Sequence, residues 1–292
     1  MQSSQSAAAA SEPEQQTKFS HFSRRYKSQL NEKEVFACRY NLDSSLAAVT
    51  FDDGSLQIIS TMLGDRLYYL KDLAMEFPLT GVAWHPNKGG NELSARLLAA
   101  SCNGELIRWT ASNPNQPEHI KLSEADGLQY HTIDYSPDGK KFALGGNHNV
   151  VEIFDEHTMK LALTLGDDVH PAHTNRVYCC RYITTKPNIL HTGSWDRQIY
   201  FWDVRNGSHI AKIGGHTKIC GDAVDVQRDG VTIVTGGGKM GEGLQLWDFR
   251  NLDEPIRKFD WYLAEGGEIV NPIVNCARFV PNQPIVVGGC TH

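Results

Sequence analysis

Residues 172–203 read AHTNRVYCCRYITTKPNILHTGSWDRQIYFWD. VYCCRY (177–182) is a strand-like segment that ends in an aromatic residue, and ILHTG (189–193) is a short apolar strand. Trp195-Asp196-Arg197 forms a tight polar turn, and QIYFW (198–202) is an alternating strand. HIAKI (209–213) supplies a weaker fourth strand. Four short strands separated by turn residues make one antiparallel sheet of a kind that is repeated radially.

Working outward, the same pattern recurs. Strand-like segments with an aromatic anchor place Tyr40, Trp84, Tyr135, Tyr182 and Phe279 at equivalent positions, with Val226 in the anchor position of AVDVQRDG. The six positions are spaced 44, 51, 47, 44 and 53 residues apart. Such a period means a repeat architecture. Each anchor is followed by a polar turn, as in Ser136-Pro137-Asp138-Gly139, and then by an apolar strand: LAAVT, LLAAS, FALGG, ILHTG, TIVTGG or IVVGG. A second tight turn follows (Asp52-Asp53-Gly54, Cys102-Asn103-Gly104 or Asn147-His148-Asn149), then an alternating strand such as SLQII, ELIRW, VVEIF or LQLW. RLYYL, EHIKL, LALTL and PIRKF close the units. No segment has a competing helical period.

On these residues the chain resembles the WD-repeat β-propellers. Trp202-Asp203 and Trp247-Asp248 stand as the dipeptides that end the third strand, and Ala172-His173 and Gly215-His216 stand where the family has Gly-His. In the fourth unit His173, Val177, Cys180 and Tyr182 follow the family spacing, and Thr192, Asp196 and Trp202 complete it. The resemblance covers residues 34–292. It implies an all-β propeller of four-stranded antiparallel blades, with five full blades and a partial sixth visible and seven in a complete ring. Within the family the chain looks most like small single-propeller members from protists and ciliated cells, on the run ICGDAVDV followed by TGGGKMGEGLQLWD (219–226, 235–248).

The resemblance also assigns His173, Thr192, Asp196 and Trp202 to a hydrogen-bonded structural tetrad inside the blade. The indole N–H donates to the threonine hydroxyl, which reaches the histidine, which the aspartate fixes. A catalytic Asp-His-Thr arrangement is the alternative reading of the same residues. In the fifth unit His216, Thr235 and Trp247 form a partial tetrad: Thr235 and Trp247 are twelve apart instead of ten, and the aspartate is missing. In the first unit Asp53 lies six before Ile59, but the aromatic is gone.

Composition bounds the rest. The chain has 292 residues and a formal charge of −6, which gives no general attraction to nucleic acid or anionic lipid. No apolar run approaches the roughly 18–20 residues that span a bilayer. Met1–Thr17 has no apolar core of a secretory signal, so the expected setting is the cytoplasm. Seven cysteines, widely spaced except for the adjacent Cys179 and Cys180 and without a C-x-x-C pair, fit small core hydrophobes in a reducing compartment. Residues 1–33 are expected to form a flexible arm, polar at first and then basic and aromatic at Arg24–Lys27. Residues 34–292 form the propeller.

Other chemistry-bearing motifs read as structure. GGGKMGEG (Gly236–Gly243) lacks the Ser/Thr after its lysine and precedes a strand, so it is a lengthened turn rather than a phosphate loop. His170, His173 and His191 lack metal-ligand spacing. No cofactor and no metal are expected. Trp195 either packs on a neighbouring blade or serves as an exposed anchor, and Arg197 either covers the tetrad or makes a contact. Trp195, Arg197, Lys239 and Met240 are therefore the candidate interface.

The last unit stops after its second strand, PIVVGGC (284–290). The expectation is a fragment of a longer propeller. The alternatives are a ring completed by a partner chain and a smaller ring closed by the N-terminal arm. The function expected is a non-catalytic protein-interaction scaffold in a multiprotein assembly, with tubulin or axonemal proteins as partners and the cytoskeleton or cilium as setting. An enzyme working through its face loops, and a subunit of a nucleic-acid-associated complex, are the alternatives. No small-molecule substrate, membrane or direct nucleic-acid partner is expected.

Overall fold

The computed structural model describes residues 33–71, 77–86, 95–166, 172–215, 218–237 and 243–259, and beyond these 263–265, 268–270, 273–280 and 286–290. Five four-stranded antiparallel sheets follow one another along the chain as the blades of a β-propeller. Blade one comprises Val35–Tyr40, Leu46–Phe51, Leu56–Ser60 and Arg66–Leu70. Blade two comprises Leu79–Trp84, Arg96–Ser101, Glu105–Thr110 and Glu118–Lys121. Blade three comprises Tyr130–Tyr135, Lys141–Gly146, Val151–Asp155 and Leu161–Leu165. Blade four comprises Val177–Ile183, Lys186–Ser194, Ile199–Asp203 and Ser208–Ile213. Blade five comprises Val224–Val226, Thr232–Gly236, Leu244–Asp248 and Arg257–Phe259. Ile273–Arg278 and Val286–Cys290 pair as a two-stranded sixth unit. No helix occurs among the described residues.

One element was not anticipated. Leu263–Glu265 pairs with Glu268–Val270 as a small separate hairpin. It lies inside the longest of the repeat spacings, which had room for it.

The first strands of successive blades lie side by side around the axis. Each blade is apolar on both faces, so each packs between two neighbours. The interface of blades one and two buries Leu56, Ile58, Trp84, Leu97 and Trp109; that of three and four buries Ile153, Val177, Tyr182 and Trp202. Fully burying such side chains is worth roughly 1.5–3 kcal/mol each. The anchors Trp84, Tyr135 and Tyr182 are 9%, 5% and 7% exposed, whereas Tyr40 is 63% exposed. Tyr40 holds the same repeat position, but no preceding blade covers it among the described residues.

In five of the six units the residue before the anchor is charged and faces the channel instead: Arg39, Asp134, Arg181, Asp225 and Arg278; before Trp84 it is Ala83, which is buried in the apolar core. Asp222 pairs with Arg39 and Arg278, and with Arg181 at 3.3 Å. The Asp134 and Asp225 carboxylates each accept a backbone N–H from the next blade, Tyr182 and Phe279 respectively, at 2.9 Å. Burial pushes the Asp134 carboxyl up despite its arginine neighbours. Burial, and then repulsion by Arg181 and Arg278, pulls Arg39 down.

The expected core role of the cysteines applies to part of the set. Cys179 and Cys180 are buried, Cys102, Cys220 and Cys276 are partly exposed, and Cys38 is exposed. Cys38 lies on the same uncovered face of blade one as Tyr40.

Close approach sets one glycine. A Cβ on Gly146 would fall inside contact distance of the Gln129 carbonyl oxygen, which accepts the Asn147 N–H at 3.1 Å. Gly146→Ala is expected to destabilise the fold by about 2–3 kcal/mol, because backbone rather than a flexible side chain must move. Urea unfolding followed by tryptophan fluorescence measures this. An unchanged midpoint would show that the strand end relaxes freely.

Candidate functional site

In blade four, polar side chains from four places converge between the strands. His173 precedes the first strand, Thr192 lies on the second, Asp196 in the turn after it and Trp202 on the third. The Trp202 indole N–H donates to Thr192 Oγ1 at 2.8 Å. Thr192 Oγ1 lies 2.7 Å from His173 Nε2, and His173 Nδ1 lies 2.8 Å from Asp196 Oδ2. The Thr174 and Gln198 backbone N–H groups also donate to Asp196, at 3.0 and 2.9 Å. His173 and Asp196 side chains are 1% and 4% exposed. Burial disfavours the Asp196 carboxylate. The hydrogen bond from His173 and the two backbone donors outweigh it and hold the carboxyl below its ordinary range. The polar side-chain atoms of this set are bonded to one another or, at Asp196, also to neighbouring backbone N–H groups.

In blade five the Trp247 indole N–H donates to Thr235 Oγ1 at 3.0 Å. His216 lies outside the described residues, as do Lys239, Met240 and the Arg24–Lys27 arm. The turn that carries Lys239 and Met240 joins Thr232–Gly236 to Leu244–Asp248, and it is closed by Gly237 N–H donating to the Gly243 carbonyl at 2.9 Å. In blade one Asp53 sits with Lys33, with Ser55 and with Lys71, at 3.0 Å from the last. Two lysines there take the place that the blade-four histidine has. Among the described residues no group of three or more His, Cys, Asp or Glu is placed to hold a metal ion.

Trp195 and Arg197 flank Asp196 at the end of the sheet. Arg197 has φ 67°, in the left-handed region. Gly54 (77°), Gly104 (83°) and Asn149 (66°) hold that turn position in blades one to three. Blade four alone of these carries a long cationic side chain there. The Trp195 ring lies 5.0 Å from Tyr178, which stacks on His131 at 4.6 Å. The Arg176 guanidinium lies 5.8 Å and the Lys218 ammonium 5.4 Å from the Trp195 ring centroid. Trp195 thus packs within its own blade and also meets the loop leading into blade five.

The backbone ties these loops together. Trp195 N–H donates to the Arg176 carbonyl at 3.1 Å, Ser194 Oγ to the Asn175 carbonyl at 3.0 Å, and Ile219 N–H to the Ser194 carbonyl at 3.2 Å. Burial, and then the charges of Arg176 and His148, lower His131 to about 4. The residues that sequence reasoning missed are Arg176, Tyr178, Lys218 and His131. Their only signal was position: all lie at or just before the start of a first strand, at the same end of the sheets as Trp195.

Residues 167–203 match the family described as WD domain, G-beta repeat. A guanine nucleotide-binding protein subunit beta of Arabidopsis thaliana is 27% identical over 210 residues, 68% of this chain and 50% of that protein. A subunit beta-1 of Drosophila melanogaster is 30% identical over 128 residues, 44% of this chain and 36% of that protein. The chain spans about half the length of the first of these relatives. A chain in the crystal structure of a mitotic checkpoint complex superposes with a TM-score of 0.68 over 88% of this chain and 72% of its own, at 16% identity, which is a likeness of fold.

Three outcomes follow from this geometry. Thr192→Val strands the His173 and Trp202 nitrogens in a buried site, and denaturant titration should show a loss of about 2–4 kcal/mol. Arg197→Gly relieves the left-handed backbone and should raise stability by about 0.5–1 kcal/mol in the same assay. His131 is held neutral, its folded value lying below its ordinary 6.5. Its contribution is therefore complete above about pH 6.5 and is lost as pH falls toward 4. His131→Phe should flatten the fall in stability across that window; an unchanged pH profile would assign the fall to other groups.

Proposed function

We propose that this chain, a WD-repeat β-propeller protein, works as a non-catalytic interaction platform within a multiprotein assembly. The observation that carries this reading is the division of polar groups in blade four. The His173–Thr192–Asp196–Trp202 chain of bonds is spent inside the blade. The Trp195–Arg197 turn above it presents a half-buried indole and exposed cations on a backbone-braced end of two blades. Loops held on a rigid scaffold are where binding residues concentrate, and tryptophan and arginine are the side chains that most often anchor interfaces. The names of the relatives support the reading: they are subunits, and the structural neighbour is a member of a complex.

The face we assign carries Trp195 and Arg197; Lys239 and Met240, the other two candidate interface residues, lie outside the described residues. The finer reading is a cytoskeletal or ciliary assembly with tubulin or axonemal partners in the cytoplasm. It rests on the basic arm and on the narrower family resemblance.

A tagged copy of this 292-residue chain, expressed in cells, should elute well above the position of a 32.5 kDa monomer on size exclusion of the extract. Trp195→Ala combined with Lys239→Ala should shift it toward the monomer position while the purified variant keeps its circular dichroism. A wild-type chain that elutes as a monomer overturns the platform reading. Microtubule co-sedimentation with and without residues 1–33 tests the finer one, and equal pelleting of both forms removes the arm from it.

A further inference from the structure

Around Trp195 the chain offers donors and positive charge and no counterpart for either. Arg176, Arg197 and Lys218 are exposed, and no described carboxylate lies within ion-pair distance of any of them. The one carboxylate in the turn, Asp196, is already engaged by His173 and two backbone N–H groups. The Trp195 indole N–H is buried and has no acceptor among the described residues. The patch is thus locally cationic on a chain whose formal charge is −6.

We infer that the Arg176–Trp195–Arg197–Lys218 cluster is a docking site for an acidic segment of a partner protein, whose carboxylates pair with the three cations and accept the Trp195 N–H. The inference rests on the platform reading and supplies its partner chemistry. Charge complementarity argues for the occupant, since Arg176, Arg197 and Lys218 are exposed cations with no described carboxylate paired to them. The site is preorganised. The Trp195 and Ile219 backbone hydrogen bonds fix both loops, and the ring contacts with Tyr178, Arg176 and Lys218 hold the indole, so little ordering remains for binding. A protein segment fits better than a nucleic-acid backbone: two cations against one indole, with a third two residues along the same turn, form a compact spot, whereas nucleic-acid surfaces spread charge along a face.

The test uses the full-length chain and a fluorescein-labelled deca-glutamate peptide, read by anisotropy at low salt. Arg176→Gln/Lys218→Gln should weaken binding about fivefold or more, in the range expected for rim charges. Lys140→Gln/Lys160→Gln removes the same charge at the opposite end of blade three and should leave binding unchanged. Trp195→Phe keeps a ring but no N–H and should weaken binding about threefold. Equal effects of the two double variants, absence of binding by the wild-type chain, or tighter binding of a ten-nucleotide thymidine oligomer would each overturn the inference. Loss of the cellular complex in Trp195→Ala/Lys239→Ala together with charge-blind peptide binding would keep the interaction face and reject the acidic partner. Site-specific peptide binding with an unaffected cellular complex would keep the acidic site and reject the platform reading.

Discussion

Each sheet of this protein is apolar on both faces, and both faces must be covered. That constraint produces the ring. A single antiparallel sheet with one wet face would alternate polar and apolar residues. Here LAAVTF of blade one is buried at every position, and IYFWD of blade four likewise. Such strands are stable only between neighbours, so the blades stack around an axis and the anchor aromatics fill the gaps. Blade one shows the rule by exception: its uncovered flank bears Tyr40 at 63% exposure, at the anchor position that is buried in blades two to four.

Burying so much sheet makes an enclosed polar group costly unless it finds a partner. Blade four meets this with a four-member hydrogen-bonded chain, and blade one with a lysine–aspartate–serine cluster. The channel meets it with arginines set against aspartates from different blades. These groups hold neighbouring elements in register, and they are unavailable for outside chemistry because their lone pairs and protons are taken. What remains for function lies at the ends of the sheets, where turns leave the packed interior and side chains are free to face a partner.

Much of this was legible in the chain. The repeat spacing marked the blades, and the family resemblance assigned Thr192 and Trp202 to one hydrogen-bonded set inside blade four. The two paired strands of a sixth unit could be read from CARFV and IVVGG. The channel charges were readable in principle, since Arg39, Asp134, Arg181, Asp225 and Arg278 all precede an anchor position. Attention to the aromatic residues hid that second register. The hairpin at 263–270 carried no distinctive pattern, because strands of three residues fall below any periodic signal.

The sequence by itself determined the local units: strand, turn, strand, and the polar residues that each blade keeps for itself. These follow from alternation and short-range spacing, which every residue carries with it. Only the tertiary structure decided which charges meet across the channel and which loops meet at the blade ends. Arg39 and Asp222 stand 183 positions apart in the chain, and Trp195 and Lys218 belong to loops of different blades. The curvature with which sheets pack around the axis sets those distances. It arises from the summed twist and side-chain volume of all the blades together, so no single repeat contains it.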